Sequence, residues 1–162
     1  MATITPFLWF DDQLEQALDF YTRVFPNSRV AETARYPEGS PGKAGTLMTA
    51  AFELDGQRFI GLNGGPHDAF NDAVSFVVAC ADQAEADRYW AALTDGGTPV
   101  QCGWLKDRFG VSWQVVPHGL TELLADPDPQ RARRATEAML AMVKLDIAAI
   151  RAAADGVGSA PA

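Results

Sequence analysis

One histidine stands among polar residues at the end of an apolar run. His67 follows the turn residues Gly64-Gly65-Pro66, with Asn63 before them and Asp68 after it. An unperturbed imidazole titrates near neutral pH, so His67 could act as a base or a hydrogen-bond donor at the rim of a binding site. The alternative is a loop histidine that bonds to nearby backbone. Because binding groups concentrate on loops, we keep His67 as a candidate ligand-binding residue.

Tryptophans could form an aromatic wall for a planar ligand. Trp9 shares one face of a strand with Thr5, because side chains alternate between faces with a period of two. That face belongs either to the core or to a ligand cleft. Trp113 alternates with Gln114 and is predicted to point into the core. Trp104 is assigned to neither side.

Two carboxamides, those of Asn63 and Gln114, fall on the faces assigned to a cleft. Each could hydrogen-bond a ligand, or could instead satisfy backbone groups of its own strand or loop. No Ser/His/Asp or Cys/His arrangement stands out, so nucleophilic catalysis has no support in the sequence. The spacing of Cys80 and Cys102 fits neither a disulfide framework nor a zinc site, and two unpaired thiols suit a reducing cytoplasm.

The elements that would hold these residues occur twice, about seventy positions apart. Residues 4–10 and 74–80 are both short apolar strands. Residues 12–15 (Asp-Gln-Leu-Glu) and 82–85 (Asp-Gln-Ala-Glu) follow them and resemble capping boxes, each of which opens an amphipathic helix. A repeat of this kind indicates one supersecondary unit used twice.

Each helix is followed by turn-separated strands, including a hairpin signal at Asp55-Gly56. We therefore predict an α+β fold of two βαβββ modules, about residues 1–66 and 67–120. One helix covers only one face of a four-stranded sheet, so the two sheets are expected to pair into a curved, partly closed mixed sheet. Together they would form a domain over residues 1–120 around a cleft that binds a small organic molecule.

A separate helical extension is predicted over residues 121–155. Asp128-Pro129 and Asp146 are typical helix starts, and apolar residues follow each at helical spacing. The extension is expected to pack either on its own sheet or on a second subunit. The tail at residues 156–162 is expected to be disordered.

The charge balance excludes some partners. A net charge of -8 disfavours nucleic acid and anionic membrane surfaces, because both are bound through clustered Lys and Arg. The cluster of Arg131, Arg133 and Arg134 is interpreted as a solvated helix face. There is no membrane-spanning apolar run and no secretory pattern, so a cytoplasmic location is expected.

Several strings resemble the PhnB-like branch of the vicinal oxygen chelate superfamily, which includes glyoxalases, extradiol dioxygenases and bleomycin-resistance proteins. These strings are ITPFLWF (4–10), FELDGQ (52–57), LNGGP (62–66), QCGWLKD (101–107) and GVSWQ (110–114). The branch is often labelled demethylubiquinone methyltransferase. The resemblance covers about the first 155 residues and implies paired βαβββ modules and a homodimer.

In metal-dependent members of this superfamily, ligands come from the first and last strands of each module. The resemblance places these positions at Thr5, at Gly61, at Val74 or Ser75, and at Gln114. A divalent site there takes His, Glu or Gln, and only Gln114 offers such a donor. We therefore predict that this chain holds no metal and needs no cofactor.

The label also implies methyl transfer from S-adenosylmethionine. The commonest fold for that reaction has a glycine-rich turn between a parallel strand and a helix. Gly64-Gly65 leads into a proline, and Gly96-Gly97 ends a helix, so neither fits.

The leading hypothesis is a metal-free homodimer that binds a small organic molecule, with catalysis left open. Alternatives are a divergent metal-dependent isomerase or dioxygenase, a methyltransferase acting on a demethylubiquinone-like substrate, and an interaction module whose cleft is filled by its own side chains. The candidate ligand-binding residues are Trp9, Asn63, His67, Trp104 and Gln114.

Overall fold

The computed structural model describes residues 2–157. The chain divides into two compact units, residues 1–69 and 70–162. Each unit contains a four-stranded mixed sheet, which confirms the predicted α+β class and the repeated βαβββ order. The single cleft expected around both sheets stays a prediction. Among the described residues, no helix has both the length and the apolar content needed to cross a bilayer.

The first unit has the sheet order β1-β4-β3-β2, with β1 parallel to β4 and the other pairs antiparallel. Its elements are β1 (Phe7–Phe10), α1 (Leu14–Val24), β2 (Arg29–Arg35), β3 (Leu47–Leu54) and β4 (Gln57–Asn63). Strand β1 is shorter than predicted and begins after Pro6, which has no N–H to donate to the ladder. The Pro6 carbonyl still accepts a 3.0 Å hydrogen bond from the Ile60 N–H.

The two faces of the first sheet differ. Leu8 and Phe10 point towards α1 and are 7% and 2% exposed, whereas Phe7 on the opposite side is 55% exposed. Because side chains alternate along a strand, Trp9 lies on the same side as Phe7. We call this side the open face of the first sheet. By register it also carries side chains of β4, β3 and β2: Arg58, Ile60, Leu62, Leu47, Thr49, Ala51, Glu53, Arg29, Glu32 and Ala34.

The second unit repeats this layout with the order β5-β8-β7-β6. Its elements are β5 (Phe76–Cys80), α2 (Gln83–Thr94), β6 (Thr98–Pro99), β7 (Trp104–Lys106), β8 (Ser112–Pro117), α3 (Leu120–Leu124), α4 (Pro129–Leu140) and α5 (Ile147–Ala154). Trp113 is 4% exposed on the side of α2, in agreement with its predicted core position. The short α3 had no signal strong enough to be predicted.

The two helix starts are built differently. In the second unit the predicted cap is present, since the Asp82 carboxylate accepts from the Glu85 N–H at 2.8 Å. The Glu85 carboxylate accepts from the Ala81 N–H, one residue before the position that a capping box uses. In the first unit the prediction is wrong, because α1 has no cap from the side chain that precedes it. The Leu14 N–H instead donates to Asn63 Oδ1 at 2.8 Å, so a side chain from β4 caps this helix.

The helical extension packs on its own unit. Leu120, Leu145 and Ile150 are buried in one cluster, with Val116 of β8 against it. The N–H groups of Cys102 and Gly103 donate to carbonyls of the segment between α4 and α5, both at 2.8 Å. Of the two packing alternatives, the structure therefore shows the chain's own sheet. The tail predicted to be disordered covers residues 156–162, of which 158–162 lie outside the described residues. The Gly156 N–H donates to the Ala153 carbonyl at the end of α5.

The arginine cluster is used inside the extension. Arg131 pairs with Asp126 at 2.9 Å and also with Asp155. Arg134 donates to the carbonyls that end α5 and so caps its C-terminus. Arg133 pairs with Glu137 along the helix. These contacts hold α4, α5 and the preceding loop together.

The two cysteines have different surroundings. Cys80 is 4% exposed at the end of β5, and burial raises the pKa of its thiol to about 11. Cys102 is partly exposed. A buried neutral thiol favours the folded state at neutral pH, and that contribution declines as pH rises from about 9 to about 11.

We expect iodoacetamide at pH 8 to alkylate Cys102 at least ~100-fold faster than Cys80, because at that pH only about one Cys80 thiol in a thousand is ionised. Mass spectrometry of tryptic peptides over time gives both rates. Cys102→Ser is the control that reports Cys80 alone. Equal rates in the folded protein would contradict this packing.

Candidate functional site

Asn63 ends β4 and uses its whole carboxamide within the first unit. Its Oδ1 accepts from the Leu14 N–H, and its Nδ2 donates to Glu15 Oε2 at 2.9 Å and to the Leu47 carbonyl at 3.2 Å. The Tyr36 hydroxyl donates to the Asn63 backbone carbonyl. These bonds are the backbone-satisfying alternative that the sequence left open for Asn63.

Trp9 lies over the glycine pair that follows Asn63. Its Nε1 donates to the Gly65 carbonyl at 3.0 Å. A Cβ on Gly64 would stand 2.2 Å from Trp9 Cε2, so only glycine lets the indole approach this closely. The glycine pair therefore positions an aromatic side chain on the open face.

The His67 ring is near Trp9 but largely exposed to solvent. Its centroid is 5.7 Å from the Trp9 ring, and 75% of its side chain is accessible. Nδ1 lies 2.9 Å from Asp68 Oδ2. The structure thus brings Trp9, Asn63 and His67 to one end of the first sheet, with His67 at the outer rim.

A cavity of about 430 Å³ opens at this end of the first unit. It lies between the start of α1, the glycine pair and the loop that joins β2 to β3. Its charged side chains are three carboxylates and one ammonium group: Asp11, Asp12, Glu15 and Lys43. All four residues are exposed.

A second hollow, of about 210 Å³, lies on the open face of the first sheet. Its lining combines small side chains (Ala34, Thr49, Ala51) with Ile60. At its rim, Arg58 faces Glu32 at 3.8 Å. Neither charged residue was singled out from the sequence, although strand alternation on β4 would have placed Arg58 on the same face as Ile60.

In the second unit, Trp104 and Gln114 are direct partners across β7 and β8. Gln114 Nε2 donates to Ser75 Oγ at 2.9 Å. Gln114 and Ser75, two of the positions at which metal-dependent members carry ligands by the resemblance, are therefore neighbours. On the same face, Lys106 pairs with Asp72 at 3.2 Å. A hydrogen bond from Ser112, with Lys106 beside it, lowers the pKa of the Asp72 carboxyl.

Gly61, one of the positions assigned to a metal ligand, does not lie on the open face. Gly61 pairs with Leu8 in register, and a Cβ there would stand 2.3 Å from Leu14 Cδ1, on the side of α1. Ile60 and Leu62 are the residues of β4 that lie on the open face, and neither carries a donor atom. Within residues 2–157, no cluster of three or more His, Cys, Asp or Glu side chains is arranged to hold a metal ion.

A family model described as 3-demethylubiquinone-9 3-methyltransferase matches residues 2–116, which is more than half of the chain. The chain belongs to this family. It is a PhnB-like member of the vicinal oxygen chelate superfamily, as the sequence strings predicted. No curated protein matched the chain.

Solved structures support the same assignment. A PhnB protein from Bacillus cereus is 35% identical, with a TM-score of 0.65, over 71% of this chain and 98% of its own length. Protein PA1353 from Pseudomonas aeruginosa has a TM-score of 0.58 at 22% identity, over 70% and 95% of the two chains. The fosfomycin resistance protein FosX from Mesorhizobium loti has a TM-score of 0.54 at 17% identity, over 76% and 97%. The last two show the fold alone.

We expect Asn63→Ala to lower the free energy of unfolding by about 1–3 kcal/mol, because it leaves the Leu14 N–H without its acceptor. Asn63→Asp keeps that acceptor but places a second carboxylate beside Glu15. Its deficit should therefore be larger at pH 7 than at pH 4.5, where the new carboxyl is partly protonated. Urea unfolding followed by circular dichroism measures both variants. A wild-type-like stability of Asn63→Ala would contradict the capping role.

Proposed function

We propose that this PhnB-like protein binds a small organic molecule, without a metal ion, on the open face of its first sheet. The observation that carries this proposal is the character of that face. Phe7, Trp9, Ile60 and Leu62 make an apolar surface beside the hollow of about 210 Å³. Water covers such a surface at a free-energy cost, and a ligand with an apolar body removes that cost.

The side chains at the metal-ligand positions support binding without an ion. Thr5 offers a neutral hydroxyl and Gly61 has no side chain. Ile60 and Leu62, the neighbours of Gly61 on the open face, carry no donor atom. In the second unit Gln114 offers a single amide oxygen, while its Nε2 donates to Ser75 Oγ. A divalent cation requires several oxygen or nitrogen donors that converge on it, and these side chains do not supply them.

The candidate residues take separate roles in this proposal. Trp9 supplies an aromatic surface, and His67 is a hydrogen-bonding group at the rim. Asn63 holds the strand end in place for both. Trp104 and Gln114 form a second aromatic-and-amide pair on the other sheet, where the Gln114 amide oxygen can accept a hydrogen bond from a ligand while Nε2 stays bonded to Ser75.

A methyltransferase acting on a demethylubiquinone-like substrate is the rival that the family's printed description favours. No glycine-rich strand-to-helix turn supports it in this sequence. Calorimetric titration with S-adenosylmethionine separates the two proposals, since stoichiometric heat release would favour the rival. A metal-dependent isomerase or dioxygenase would instead require a bound divalent ion.

We propose that the chain is a cytoplasmic homodimer. Exposed apolar residues near the end of α4 support a second copy as the partner, since Leu140 and Val143 are 55% and 48% exposed. Two unpaired cysteines support a reducing compartment.

To test ligand binding, we expect 2-naphthylmethanol to shift backbone amide resonances of β2, β3 and β4 in ¹H–¹⁵N spectra. Ala34→Phe should weaken this binding by at least about tenfold, because the new ring fills the hollow. Ala84→Phe, on the exposed side of α2, is the matched control and should bind as the wild type does.

Two results would contradict the proposal. One is equal affinity of Ala34→Phe and Ala84→Phe for 2-naphthylmethanol, or resonance shifts confined to strands other than β2, β3 and β4. The other is a stoichiometric divalent ion in the purified protein, measured by plasma mass spectrometry.

For the dimer, we expect sedimentation velocity to show twice the monomer mass at micromolar concentration. Val143→Glu should shift the protein towards monomer, because it places a charge in the apolar contact. Val30→Glu, at a similarly exposed valine on β2, should leave the dimer intact. A monomeric wild-type chain would contradict the proposal.

A further inference from the structure

Arg58 stands at the rim of the hollow on the open face of the first sheet. It is the second residue of β4, and it follows the tight turn at Asp55-Gly56, where both residues have positive φ. About half of its side chain is exposed. The guanidinium therefore meets both solvent and the apolar lining formed by Ala34, Ala51 and Ile60.

A comparison with Arg29 shows how loosely Arg58 is held. Arg29 donates two hydrogen bonds to the Glu53 carboxylate, at 3.0 and 2.9 Å. Glu53 is the cross-strand partner of both Arg29 and Arg58, and Arg29 engages its two oxygens. Among the described residues, the acidic group that remains within 4 Å of Arg58 is Glu32, at 3.8 Å, beyond hydrogen-bond distance.

We propose that Arg58 selects a monoanionic ligand, a carboxylate whose apolar body lies in the hollow. This inference rests on the proposed function, since it names the ligand class for that same site. A guanidinium can bond both oxygens of a carboxylate through parallel N–H donors. Thr33 and Thr49 add neutral polar groups to the lining, and Ala34, Ala51 and Ile60 form its apolar part.

The charges around the hollow favour one negative charge over two. Glu32 stands beside Arg58 and would repel a dianionic phosphate more strongly than a carboxylate. The whole chain carries a net charge of -8, which disfavours anions in general. A preference for an anion must therefore come from a local cation, and Arg58 is placed to supply it.

The experiment compares two ligands that share an apolar body. Naphthalene-2-carboxylate and 2-naphthylmethanol are titrated separately into ¹⁵N-labelled protein at low salt. We expect the carboxylate to bind about tenfold more tightly, because one charge-assisted bidentate contact distinguishes it. The preference should shrink as salt is raised, because the contact is half-exposed.

The variants locate the source of the preference. Arg58→Met should abolish the preference, so that the two compounds bind with affinities within about twofold of each other. Arg23→Met, which removes an exposed arginine from α1, on the other side of the sheet, should keep the preference. Arg58→Lys keeps the charge but not the two parallel N–H donors, so it should reduce the preference without abolishing it. If Arg58→Met does not fold, this reduction is the test of the role of Arg58.

Failure of this inference can be told apart from failure of the proposed function. If 2-naphthylmethanol binds the open face and the carboxylate binds no better, the role of Arg58 is overturned and the binding site stands. An equal loss of preference in Arg23→Met and Arg58→Met also overturns that role. If neither compound binds, both proposals are overturned.

Discussion

One helix cannot cover both faces of a four-stranded sheet, and each unit of this chain supplies one helix to its sheet. Helix α1 covers the side of the first sheet that carries Leu8 and Phe10, and this leaves Phe7 and Trp9 on the open face. Helix α2 does the same for the second sheet, burying Trp113 and leaving Gln114 on the other side. The ligand site proposed for this protein lies on one of these uncovered faces.

The first sheet and its helix are joined by a short polar connection. The Asn63 carboxamide accepts from α1 and donates to both α1 and β3, so the end of the sheet and the start of the helix are held in one arrangement. The next two residues are glycines, over which Trp9 lies. The structural amide of Asn63 and the Trp9 side chain on the open face are thus close in the chain and in space, and a change at Asn63 is expected to move Trp9.

Members of this superfamily share a scaffold on which several chemistries are built, so the fold alone does not assign an activity. In this chain the strands that would supply metal ligands present Ile60 and Leu62 on one sheet. On the other sheet they present an amide already bonded to Ser75. These side chains are the basis for proposing an apolar ligand, and Arg58 at the rim of the hollow is the charged group proposed to contact it.

The sequence by itself determined the repeat, the fold class and the family, because these depend on local periodicity, turn residues and strings of adjacent residues. It also predicted the core position of Trp113 and the caps of α2, α4 and α5. Strand β1 was shorter than predicted, because Pro6 lacks a backbone donor.

Only the tertiary structure decided that α1 is capped by Asn63, which lies 49 positions from Leu14 in the chain. It also showed that Gly61 faces α1 and that Arg58 borders a hollow. Arg29, and not Arg58, forms the salt bridge with Glu53, which lies between them on β3. Each of these depends on strand register and on contacts between residues distant in sequence, which local patterns do not specify.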